Sequence, residues 1–259
     1  MCFDHDSRPP IAPILGGALD GQLVELDAAD GNRFAAFRAR PAAPTGTGVV
    51  VLPDVRGLHP FYEELALRFA ERGVDSLAID WYGRTAGAVA RDADFEYLPH
   101  TSRTTWAGIA ADISAGVEAL RADGLQRVFT IGFCMGGRMS FLASTLGLDL
   151  AGVIGLYGTL KGPWRNDAPA PLDRLDEVGS PVLGLFGGAD EGITADAVAA
   201  FDDGLTQRGV EHRIVTYAGA PHSFFDRKAA DFAAESAAAW DEVLAFIGAA
   251  TEPGRADRG

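Results

Sequence analysis

Cysteine is scarce in this chain of 259 residues: Cys2 and Cys134 are the two it has. Two thiols cannot make the framework of several disulfides that holds a small secreted fold. Long apolar runs are missing too, and none approaches the roughly 18 residues a membrane-spanning helix needs. Positive charge is in short supply, with 22 Lys and Arg against 36 Asp and Glu, for a formal net charge of −14. Nucleic acids and anionic membranes reward positive patches, so neither is an expected partner. The histidines and cysteines show no metal-ligand spacing, so neither a metal nor an organic cofactor is implied. The opening "MCFDHDSRPPIAP" lacks the basic and apolar stretches of a secretory signal. With reduced thiols, the cytoplasm is the expected compartment.

What the chain does have is apolar material in a regular alternation. With 47% hydrophobic residues, a chain of this length can bury one large core. Residues 1–17 read as a loosely ordered arm, 18–250 as a single domain and 251–259 as a frayed tail. "QLVELDAADGNRFAAFRAR" alternates apolar and polar residues on either side of "AADGN", the pattern of an antiparallel hairpin. A continuous β-branched run over 49–54 reads as a strand covered on both faces, and 75–80, 127–133, 150–158, 181–187 and 211–219 also read as strands. Helical spacing occupies 61–73, 103–122, 135–146, 194–209 and 228–248. Strands alternating with helices call for a mostly parallel sheet covered on both faces, an α/β fold.

In open parallel sheets, reactive groups gather where the strands end. The strand over 127–133 runs into "GFCMGG", where Gly132 and Gly136 frame Cys134. Such a frame permits a sharp strand-to-helix turn that lifts a nucleophile above the sheet. The start of the following helix would lower the thiol pKa. A small buried cysteine is the plainer alternative, and the glycine frame argues against it. Among the histidines, His5 lies in the arm and His212 opens a strand, while His59 and His100 read as surface loop residues. His222 follows the last strand in a Gly/Pro loop and comes after the nucleophile in chain order, the place of a base. Asp190, just past "PVLGLF", is the candidate orienting acid, with Glu191 its immediate rival. The backbone N–H groups of Met135 and Val55 are the expected oxyanion donors.

These segments resemble the dienelactone hydrolases (carboxymethylenebutenolidases), a family with the α/β-hydrolase fold. "GFCMGG" is similar to that family's cysteine elbow, "GGADEG" to its acid loop, "GAPHSF" to its histidine loop, and "DWYGR" to a stretch ending in a substrate-binding arginine. The resemblance spans about residues 20–248. It implies a Cys134–His222–Asp190 triad that opens an enol lactone or a related small ester, with Arg84 anchoring an anionic substrate. Two positions depart from the family. Asp54 stands where a glutamate modulates the resting thiol, one methylene shorter. Asp226 stands where a second arginine is expected, with Arg227 able to substitute only if the loop bulges. Arg56 is a further positive group on the oxyanion loop, read first as solvated. Tyr82, Trp81, Phe61, Phe224 and Phe225 are candidate pocket walls, or simply core aromatics. A broader carboxylesterase or thioesterase, a non-catalytic binder of small molecules and a redox-sensing thiol are the competing readings. The sequence does not fix the oligomeric state.

Overall fold

The computed structural model describes residues 7–249; Cys2, His5 and the expected tail lie outside them. β1 (Ala18–Asp27) and β2 (Arg33–Pro41) form the hairpin read from the sequence. β3 (Thr47–Leu52), β4 (Asp75–Ile79), β5 (Arg127–Phe133), β6 (Gly152–Leu156), β7 (Val182–Gly187) and β8 (His212–Tyr217) follow. The eight strands make one sheet in the order β1-β2-β4-β3-β5-β6-β7-β8. β2 pairs antiparallel with β1 and β4, and the pairs from β4 through β8 are all parallel. Every residue of β3, β4, β6 and β7 is buried. Such strands need continuous apolar runs because helices cover both of their faces.

The helices are α1 (Pro60–Ala70), α2 (Gly83–Ala86), α3 (Tyr97–Thr101), α4 (Trp106–Ala122), α5 (Met135–Ala143), α6 (Ala195–Gln207) and α7 (Ala233–Ala249), with a 3-10 segment over Pro171–Glu177. Thr105 caps α4 by accepting the Gly108 N–H at 3.1 Å. The two shortest helices and the 3-10 segment have too few residues to show a period, and the sequence gives no sign of them. α7 starts five residues later than the spacing over 228–248 predicts. Ser223, at φ 61°, offers its carbonyl to the N–H groups of Asp226 (3.3 Å) and Lys228 (3.2 Å), which closes a turn instead of a helix. In the arm, residues 7–17 hold no helix or strand; Arg8 pairs with Glu64 and the Ile14 N–H donates to Glu71, so this stretch runs along α1.

Right-handed crossovers decide the layers. The connection β3-α1-β4 moves along the sheet one way, and β4-α4-β5 moves back across β3 the other way. α1 and α4 therefore cover opposite faces. α7 shares the face of α1, where Trp240 packs on Phe69 with ring centroids 4.8 Å apart. Where β3 and β5 lie side by side, their following helices leave to opposite faces and open a crevice at the strand ends. No helix among the described residues is long and apolar enough to cross a membrane.

The loop after β4 is held by a buried ion pair. Asp80 takes Arg91 on both oxygens, at 2.6 and 3.2 Å, and also accepts the N–H groups of Leu58 and Tyr82. Removing one partner of such a pair leaves a buried charge uncompensated. Asp80→Ala is expected to lower the unfolding free energy by about 3–5 kcal/mol in urea titrations. Breaking the exposed Arg174–Glu177 pair by Arg174→Ala should leave the midpoint unchanged.

Candidate active site

Cys134 is the one residue between β5 and α5, at φ 54° and ψ −110°. A non-glycine residue in this region carries strain of order 1–3 kcal/mol, which the surroundings must impose. The glycine frame allows them to do so. A Cβ on Gly132 would lie 1.9 Å from the Gly136 carbonyl oxygen, and one on Gly136 would lie 2.0 Å from that of Leu52. α5 thus sits directly against β5 and the end of β3, and Cys134 is left partly exposed at the crest. The first N–H groups of α5 have no partner within the helix and face this end. Arg138, one turn on and fully buried, donates to the Thr159 hydroxyl and to the carbonyls of Gly162, Ala168 and Pro169 at 2.9–3.2 Å. It ties the segment after β6 to the nucleophile helix, and burial pulls its pKa down to about 10.

His222 lies in the loop after β8. Its Nδ1 is 2.7 Å from Asp190 Oδ2, and Asp190 Oδ1 accepts the Gly192 N–H at 2.9 Å. The rival Glu191 is exposed. His222 also shares a hydrogen bond with Cys134. Burial alone would pull the imidazole pKa down, but the bonds to Asp190 and Cys134, with the charges behind them, push it up to about 10. Tyr157, held at φ 39° after β6, packs its ring against His222 at 5.1 Å and donates its hydroxyl to Asp226 at 2.9 Å. From α7, the buried Ser236 hydroxyl donates to the Phe224 carbonyl at 3.0 Å and holds the histidine loop down.

The loop after β3 completes the crest. The Tyr62 hydroxyl lies 2.9 Å from the Asp54 N–H, the Trp81 indole donates to the carbonyls of Pro53 and Asp54, and the Tyr82 hydroxyl donates to the Val55 carbonyl. The loop is thereby fixed beside α5 by three aromatic residues.

The family model of the dienelactone hydrolase family matches residues 34–251. The chain belongs to the dienelactone hydrolase family. A Salmonella typhimurium relative described as "Putative carboxymethylenebutenolidase" is 27% identical over 229 residues, 83% of either chain. A Bradyrhizobium protein described as "Probable 2-oxo-3-(5-oxofuran-2-ylidene)propanoate lactonase" is 27% identical over 232 residues, 84% of this chain and 90% of that one. The crystal structure described as a "Putative Dienelactone Hydrolase" from Klebsiella pneumoniae superposes with a TM-score of 0.75 at 25% identity, covering 89% of this chain and 99% of that one. The architecture is the α/β-hydrolase fold that this family shares.

Within that dienelactone hydrolase frame, several residues stand elsewhere than their sequence positions suggest. Arg84, expected to hold a substrate carboxylate, bonds instead to Asp30 (2.5 Å), Asp112 (2.8 Å) and the Gly108 carbonyl (3.1 Å). Its partners are a turn of the hairpin and a face of α4, and they occupy the guanidinium. Arg227 is exposed, and the loop presents Asp226 inward with the Arg227 N–H donating to it. Tyr82, Phe224, Trp81, Phe61 and Phe225 are buried in the core, not open walls. His59, read as a surface residue, is buried 3.8 Å from Asp54 and edge-on to Tyr62. Arg56 lies 3.6 Å from the other Asp54 oxygen and donates its own N–H to that side chain at 2.9 Å. Burial pushes the Asp54 pKa up, but the hydrogen bond and charge of His59, together with Arg56, leave it below the usual carboxylate range. Tyr157 went unnoticed in the sequence, although "GLYG" places it at the end of a strand like the others. A cavity of about 390 Å³ between α6 and β8 includes neither Cys134 nor His222.

Because the His222 pKa is raised above its ordinary 6.5, the pairing stabilises the fold fully below about pH 6.5. That stability is lost as pH rises through about 10. An NMR titration should find the ring protonated through neutral pH, and Asp190→Asn should lower its midpoint by about 1–3 units.

Proposed function

We propose that this protein is a carboxylic ester hydrolase that opens enol lactones or similarly activated esters through an acyl-enzyme on Cys134. One observation carries the reading: His222 lies between Asp190 and Cys134, with the cysteine held on a strained strand-to-helix turn. A protonated imidazole beside the sulfur stabilises the thiolate, and the start of α5 adds to that effect.

The thiolate attacks the ester carbonyl, forming the C–S bond as the carbonyl π pair moves to oxygen. The N–H groups of Met135 and Val55 receive that oxyanion, and each such donor is worth about 3–4 kcal/mol of barrier in comparable sites. The tetrahedral intermediate collapses, the C–O bond breaks, and the His222 imidazolium protonates the leaving oxygen. The neutral imidazole then takes a proton from water, whose oxygen bonds to the thioester carbon; the C–S bond breaks, the acid is released, and the thiolate and imidazolium are restored. Asp190 keeps the imidazole in the orientation and tautomer both stages require. A thiolate is a good leaving group as well as a good nucleophile. It favours substrates whose departing oxygen is stabilised, such as enol lactones, over plain alkyl esters.

With p-nitrophenyl acetate, the expected outcome is sustained turnover, with a single acetyl adduct trapped by acid quench and mapped by mass spectrometry to Cys134. Cys134→Ala and His222→Ala should each reduce kcat/KM by at least about 10³-fold. Acetylation that stops after one turnover would instead mark a reactive but non-catalytic thiol.

A further inference from the structure

The loop that carries His222 holds no helix or strand between the end of β8 and the start of α7. Its imidazole must nevertheless stand at the sulfur of another strand end. The bond to Asp190 fixes one edge of the ring, and a single hydrogen bond leaves the ring free to tilt about it. Tyr157, fully buried at the end of β6, meets alternate residues of the same loop. Its ring lies edge-on to the rings of His222 at 5.1 Å and Phe224 at 5.6 Å, and its hydroxyl donates to Asp226 at 2.9 Å.

The backbone under Tyr157 is tied to the nucleophile as well. The Leu156 carbonyl accepts the Cys134 N–H at 3.1 Å, and the Tyr157 N–H donates to the Leu185 carbonyl of β7 at 2.8 Å. With φ at 39°, Tyr157 lies in the left-handed region, which a tyrosine keeps only when its surroundings hold it there. Two consecutive residues, 156 and 157, thus contact the peptide of the nucleophile and the ring of the base. Asp226 completes the fixture. It is buried and accepts both the Tyr157 hydroxyl and the Arg227 N–H. At the position where the family resemblance implies an arginine, this chain turns a carboxyl inward onto a tyrosine.

We infer that Tyr157 is a positioning residue: its side chain sets where the His222 imidazole stands relative to Cys134, and Asp226 holds the tyrosine in place. This inference rests on the ester-hydrolase reading above and adds what aligns the base with the nucleophile. Tyr157 is sealed from solvent, so it acts through His222 and not on substrate. A misplacement of about 1 Å can cost about 10²-fold in rate. Tyr157→Leu, which removes the ring, should therefore lower kcat on p-nitrophenyl acetate by about 10²-fold with KM unchanged. Tyr157→Phe, which removes the hydroxyl alone, should lower it by about tenfold. A second readout needs no turnover: the pH midpoint of Cys134 thiolate formation, followed by far-ultraviolet absorbance against a Cys134→Ala blank in which Cys2 cancels. An imidazolium moved away from the sulfur stabilises the thiolate less, so Tyr157→Leu should raise that midpoint by about one unit. A folded Tyr157→Leu enzyme that is less heat-stable but keeps the wild-type midpoint and kcat overturns the inference. If that variant does not fold, Tyr157→Phe decides on the same two readouts. Asp226→Ala, alone and combined with Tyr157→Phe, tests the tie between them. The double variant should lose no more than either single one, and losses that multiply overturn the role given to Asp226. Midpoints that rise in the variants of an enzyme that turns over no ester remove the hydrolase reading and leave the positioning role standing.

Discussion

The backbone conformation of Cys134 governs the geometry of the whole crest. Only because Gly132 and Gly136 carry no Cβ can α5 start within one residue of β5 and press against the end of β3. The same close approach brings the free N–H groups of α5 beside the loop that follows β3, and aims the sulfur at the loop after β8. A side chain on either glycine would have to displace backbone, since the obstructing atoms are carbonyl groups of neighbouring elements. The strain at one residue is thus maintained by the packing of three elements, and the candidate nucleophile cannot relax without moving all of them.

Charge pairing organises the loops around that point. Asp80 with Arg91 and Asp54 with Arg56 and His59 join loop segments that have little regular structure of their own, and Arg84 ties the hairpin turn at Asp30 to Asp112 on α4. Buried pairs of this kind confer definition more than stability, because desolvation offsets much of their attraction. Here they fix where the loops run and occupy the arginines.

Much of the fold was legible because strands buried on both faces must be continuous apolar runs, as 127–133 and 181–187 are. The crest was legible because its local features are rare: glycines on both sides of a cysteine, then an acid and a histidine at later strand ends. Partnerships between distant residues were not legible. Nothing in "DWYGR" reveals that Arg84 meets Asp30 and Asp112, 54 and 28 residues away. His59 looks like an ordinary loop residue until Asp54 and Tyr62 close around it. Tyr157 gained its place from a left-handed backbone turn, which a tyrosine does not announce.

The bond from the Ser236 hydroxyl to the Phe224 carbonyl ties the loop that carries His222 to α7, two residues past the imidazole. The cysteine turn is held instead by β5, α5 and the end of β3. A disturbance of α7 would therefore shift the ring while the sulfur stayed where it is.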